Sequence, residues 1–156
     1  MADNKMTVVV GSDHAGFPLK GKVLEFIKAA GHDVIDVGSY DEKPVDFPDI
    51  AGQLTAAILS GRAARGLMVC GTGVGAAIAA NKVAGIRAAV CHDVHSAHQG
   101  VEHDDVNVMC IGAQIVGPWL AVDLVAAFLK AEFDATDDHR RRVAKLRDLE
   151  AALAKR

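Results

Sequence analysis

Short β-branched and apolar runs recur along the chain at Thr7–Val10, Val34–Val37, Leu67–Cys70, Arg87–Val90 and Val106–Ile111, and stretches of helical periodicity follow each of them. Five strand–helix units in alternation predict one parallel sheet covered by helices on both faces, a three-layer α/β/α arrangement. Pro18, Pro48 and Pro118 suit the first turns of helices, and Gly31 and Gly61 suit C-terminal caps. A last helix is expected over about residues 137–155, with Val143, Leu146, Leu149 and Leu153 at helical spacing. Its apolar stripe must pack on its own core or on a partner subunit. In a sheet of this kind ligands bind beyond the carboxyl ends of the strands. The loops expected to carry function are therefore Gly11–Gly16, Ser39–Asp49, Gly71–Gly75, His92–Asp105 and Gly112–Gly117.

At 156 residues the chain reads as one domain over residues 1–156. A net charge of −3 without a basic block before the C-terminus argues against nucleic acid or an anionic membrane as partner, and favours a small molecule. The polar start MADNK leads into too short an apolar run for a signal or a membrane span, so a cytoplasmic location is expected. Cys70, Cys91 and Cys110 have neither CxxC spacing nor an even count, which predicts free thiols.

The segment CGTGVGAAIAANK begins at the end of the third strand, so Cys70 precedes a glycine-rich turn and a helix start. The N–H groups of Gly71 to Gly75 would lack helical partners and face an anion, and the helix dipole would lower the pKa of a nearby thiol. Cys70 is thus the leading reactive group, while Cys91 and Cys110, with no such turn, read as core residues. Asp13 and His14, in the loop SDHAG after the first strand, would project into the same crevice; the competing reading is a helix cap with a surface histidine.

His92, His95, His98 and His103 lie within twelve positions. On one helix the first three drift by about 60° per step, so they would not converge on a metal. His103, in the polar stretch EHDD after the expected helix, is the best general acid or base of the group. A rival function also fits the spacing. Gly71, Gly73 and Ala76 satisfy the loose GxGxxG/A pattern with Asp93 about twenty residues on, as in a nucleotide-binding module. Against it, the pattern follows the third strand and the chain has little room for a substrate domain.

GSDHAG, the DFPD segment around Phe47, CGTGVGAAIAANKVAGIRAA and EHDDVNV together resemble the type B ribose-5-phosphate isomerases and the LacAB sugar-phosphate isomerases, over nearly the whole chain. The resemblance implies a Rossmann-like fold and interconversion of aldose and ketose phosphates through a cis-enediolate, with no metal or organic cofactor. It assigns Cys70 as the base between C1 and C2, and Ala76 stands where some members carry a glutamate base. Enediolate charge would be met by N–H groups of Gly71, Thr72, Gly73, Val74 and Gly75 and by the Thr72 hydroxyl, each oxyanion donor of this kind being worth ~3 kcal/mol. His103 aligns with the residue that opens the sugar ring, and Asp13 and His14 with residues that hold substrate oxygens or phosphate. The site would lie between subunits of a homodimer, with pairing into a tetramer left open.

The departures are specific. Gln114 and Asp138 replace arginines that bind phosphate in the family, whereas Arg142 is kept; Asp104 stands for an asparagine and Phe47 for a tyrosine. Losing two guanidinium groups weakens bidentate recognition of a dianion. The expected substrate is therefore a small sugar phosphate, with a non-phosphorylated or otherwise altered sugar as the alternative, and Asp104 as a candidate acceptor for hydroxyls.

Overall fold

A computed structural model describes residues 4–155; the first three residues of MADNK and Arg156 lie outside it. Five strands, β1 (Thr7–Ser12), β2 (Asp33–Asp36), β3 (Arg65–Cys70), β4 (Ala88–Val90) and β5 (Val108–Gly112), form one parallel sheet in the order β2-β1-β3-β5-β4. Six helices accompany them: α1 (Phe17–Ala29), α2 (Phe47–Leu59), α3 (Val74–Asn81), α4 (Val94–Asp104), α5 (Pro118–Lys130) and α6 (Asp137–Leu153).

Right-handed crossovers dictate which face each helix covers. The chain moves one way along the sheet through α1 and α4 and the other way through α2 and α3. Val8, Val10, Leu67, Val69, Met109 and Ile111 accordingly pack with residues of α1, α4 and α5, and Val9, Met68, Cys70, Val108 and Cys110 with α2 and α3. Both faces are dry, which is why the strands read as continuous apolar runs instead of alternating ones. Phe128 of α5 is fully buried in the first of these cores, where truncation to alanine costs ~3–5 kcal/mol.

The proline and glycine punctuation acts as predicted. Pro18, Pro48 and Pro118 occupy first turns, while Gly31 and Gly61 follow the ends of α1 and α2 at φ +90° and +76°. Strand boundaries shift by one or two residues: β1 runs on to Ser12, β2 is displaced one residue toward the N-terminus, β3 begins at Arg65 and β4 at Ala88. β5 begins at Val108, because Asn107 and Val106 are drawn into local bonds with Arg87 and Gly100. Among the described residues, no helix is long and apolar enough to cross a membrane.

From β1 the chain passes to β2 on one side and later to β3 on the other, so the carboxyl ends of β1 and β3 border the switch point of the sheet. In an open parallel sheet that crevice is where ligands enter. The last helix differs from a core helix. Val143 is its single buried residue, and Leu146, Leu149 and Leu153 remain exposed.

Candidate active site

Cys70 ends β3 opposite Gly112 of β5. Its thiol donates to Asp13 Oδ2 at 3.2 Å, and Asp13 Oδ1 accepts the N–H of Gly16 at 2.8 Å. Gly16 must be glycine, since a Cβ there would lie 1.9 Å from the carbonyl oxygen of Val69. This close approach of the β1–α1 loop to β3 brings Asp13 onto the thiol.

The thiol does not titrate as the sequence suggested. Burial pushes the Cys70 thiol up from its ordinary value, the hydrogen bond and charge of Asp13 push it further, and the N–H groups of Gly73 and Gly71 only partly oppose this. The helix-end effect therefore has the predicted sign and loses to desolvation. Cys91 and Cys110 are buried free thiols, as expected of core residues.

The turn after Cys70 is built as the glycines require. Gly73 caps α3 at φ +82°. The Thr72 hydroxyl accepts the N–H of Val74 at 3.3 Å, and Thr72 and Val74 are exposed at the mouth of the crevice. The carbonyl of Gly71 takes the N–H of Gln114 at 3.0 Å. The Gln114 side chain lies against Gly71, with its amide nitrogen 3.2 Å from where a Cβ of Gly71 would be. Phe47 similarly lays its ring against Gly75.

His14 Nδ1 accepts the N–H of Val45 at 3.2 Å, which leaves the proton of the neutral ring on Nε2. The segment that carries Val45 is anchored by a residue the sequence did not single out. Lys20, only 2% exposed, bonds Asp36 at 2.9 Å and the carbonyl of Ser39. No local pattern separates Lys20 from its exposed neighbour Lys22. His92 also belongs to this edge, because its Nε2 accepts the N–H of Gly112 at 2.9 Å. It precedes α4, so the one-helix arrangement of His92, His95 and His98 does not hold. His98 pairs with Glu102 at 3.1 Å, and among the described residues no three histidine, cysteine or carboxylate groups gather for a metal.

Other predicted residues stand at the opposite edge. His92–Asp105 is not a strand-end loop: its greater part is α4, which runs from the carboxyl edge of the sheet back to the amino edge. His103 lies in the last turn of that helix, not in a loop after it, and stacks on His139 of α6 with ring centroids 4.2 Å apart. Asp104 is exposed beside it. Asp138 bonds Arg141 at 2.8 Å and approaches Arg142 at 3.7 Å. Those arginines, Arg141 foremost, hold the Asp138 carboxyl below the usual range.

From Val108 to Gly112 the sheet rises about 13 Å. Cys70, Asp13, His14 and Gly71–Gly75 thus form one group at the carboxyl edge, and His103, Asp104 and Arg142 a second group at the amino edge. Asp93, the acidic residue of the nucleotide-type pattern, is spent capping α4, where it accepts the N–H of Ser96 at 2.7 Å.

Comparison with known proteins finds relatives over most of the chain. The family model for Ribose/Galactose Isomerase matches residues 8–146. Ribose-5-phosphate isomerase B of Escherichia coli K12 is 39% identical over 143 residues, 92% of this chain and 95% of the relative. A D-erythrulose-4-phosphate isomerase of Pectobacterium atrosepticum is 41% identical over 132 residues, 83% of this chain and 86% of its own length. The structure of Clostridium thermocellum ribose-5-phosphate isomerase B superposes with a TM-score of 0.92 at 43% identity, covering 95% of this chain and 99% of that one.

Proposed function

The chain belongs to the Ribose/Galactose Isomerase family, and on that premise we propose that it interconverts the aldose and ketose forms of a small sugar phosphate of the ribose 5-phosphate/ribulose 5-phosphate type. The observation that carries the reading is Cys70, at the switch point of the sheet and directly before the N–H groups of the glycine turn. Cys70 takes the proton from C2 and delivers it to C1. The N–H groups of Gly71 to Gly75 and the Thr72 hydroxyl meet the charge of the cis-enediolate, as oxyanion donors do. His14 presents Nε2–H to substrate oxygens or phosphate.

Ring opening needs a second acid/base, and His103 has that role. Since His103, Asp104 and Arg142 stand at the far edge of their own sheet, they serve the Cys70 of a second copy. The working unit is a homodimer with two shared sites. Exposed apolar side chains support it: Val74, Ile78, Val90 and Val94 flank the glycine turn, and Leu146, Leu149 and Leu153 line α6. Chemistry of this sort draws on side chains and backbone N–H groups alone, without metal or organic cofactor.

A second substrate is favoured by particular residues. Gln114 and Asp138 carry no positive charge, and Asp138 engages the neighbouring arginines. The Pectobacterium relative is named for a four-carbon sugar phosphate, which makes a shorter phosphorylated sugar a stronger alternative than a free one.

Deuterium incorporation at C2 in D2O, followed by NMR, tests both chemistry and substrate. Wild type should exchange ribose 5-phosphate or a tetrose phosphate, and Cys70→Ala should not. Exchange in the variant at the wild-type rate would remove Cys70 as the base; exchange confined to free sugars would remove the phosphate from the substrate.

A further inference from the structure

Asp13 resembles a substrate-holding residue by alignment, yet its carboxylate is turned inward. It is 6% exposed, one oxygen is held by the Gly16 N–H, and the other accepts the thiol of Cys70, itself 7% exposed. A buried carboxylate is costly unless its lone pairs are met, so this geometry fixes both groups. We propose that Asp13 is a positioning residue that takes the proton of Cys70, so that the base is a Cys70–Asp13 pair sharing one proton and not a free thiolate. The proposal rests on the reading of Cys70 as the base.

The proton inventory closes. In the resting enzyme one proton lies between Sγ and Oδ2. With a sugar in the crevice it passes to Oδ2, and the thiolate takes the C2 proton. The electron pair of that C–H bond becomes the C1–C2 double bond, and the carbonyl pair of C1 moves to O1. The O2 proton passes to O1, the new thiol returns its proton to C1, and O2 is left as the ketone. Oδ2 then gives its proton back to Sγ.

The surroundings suit this exchange. The groups acting on the Cys70 thiol are Asp13 from the β1–α1 loop and the N–H groups of Gly71 and Gly73. Cys110 on β5 is coupled to it but held protonated by burial, and His14, next to Asp13, is turned to Val45. No cation among the described residues stands on the thiol to stabilise a permanent thiolate. The two N–H groups stabilise a transient one, and Asp13 keeps the resting sulfur protonated.

The test reads the thiol without any sugar. Iodoacetamide alkylation of Cys70, followed by peptide mass spectrometry against pH, should give a wild-type midpoint above the ~8.5 of an ordinary thiol. Asp13→Asn keeps an acceptor for Gly16 but loses the charge. Its midpoint should fall, raising alkylation near neutral pH about tenfold, while its kcat for C2 exchange on ribose 5-phosphate falls at least as much and the acid limb of its pH profile moves. Asp13→Ser, smaller and able to accept from Gly16, should behave alike and serves if the first variant folds poorly. An unchanged alkylation midpoint, or a raised KM with kcat and midpoint intact, overturns the pair and returns Asp13 to substrate holding. Failure of Cys70 as the base would appear separately, as proton exchange surviving in Cys70→Ala.

Discussion

Cys70 and His103 face opposite edges of one sheet: the first ends β3 at the carboxyl edge, and the second closes α4 at the amino edge, stacked on His139. If both act on one sugar, they must come from different copies of the chain.

That arrangement predicts complementation. Cys70→Ala and His103→Ala should each be inactive or slow on a ring-forming pentose phosphate. After unfolding and refolding together, half of the dimers are mixed, and each mixed dimer holds one doubly altered site and one intact site. Activity should return to about a quarter of wild type. Steady-state assay of the mixture checks it, and no recovery beyond the sum of the separate variants would mean that the two residues serve one chain.

Gln114 offers a second handle. Its side chain covers Gly71 at the mouth of the crevice, and a guanidinium there would add charge-assisted bonds to a phosphate. Gln114→Arg should lower KM for ribose 5-phosphate by about tenfold, the effect of one such bond. KM for free ribose should not change. A KM for the phosphate that stays where it was would place the phosphate away from Gln114.

The cysteines outside the site predict a pH dependence of stability. Burial pushes the Cys91 thiol up to about 11, with the charge of Asp93 adding to it. An unfolded thiol ionises near ~8.5. Because the folded protein holds this proton more tightly, the stability it contributes is complete below ~8.5 and is lost as the pH rises through the folded-state value. Melting temperature measured from neutral pH upward should therefore fall in that window, and less steeply in Cys91→Ala. Identical slopes in the two proteins would exclude Cys91 as a source of the loss.

Several features of the chain needed nothing beyond the sequence. All five strand runs form strands, and the prolines and Gly31 and Gly61 bound helices as predicted, because these preferences act through the backbone of a few neighbouring residues. The glycine turn after Cys70 was legible for the same reason: a left-handed residue before a helix restricts the sequence locally.

What the tertiary structure decided is long-range. The sheet order β2-β1-β3-β5-β4 arises from pairing between strands far apart in sequence, and only that order shows that the switch point falls beside Cys70. The direction of α4 carries His103 away from the crevice that the stretch EHDD was expected to border. The upward shift of the Cys70 thiol comes first from its burial in the fold, and Asp13, 57 residues away in sequence and brought into contact by the Gly16 approach to Val69, adds to it. Buried Lys20 could not be told from exposed Lys22, since the difference lies in Asp36 and Ser39 and not in the helix that bears both. Sequence determined the local conformations and the reactive residue types; burial and pairing at a distance decided which of those residues meet, and with what proton affinity.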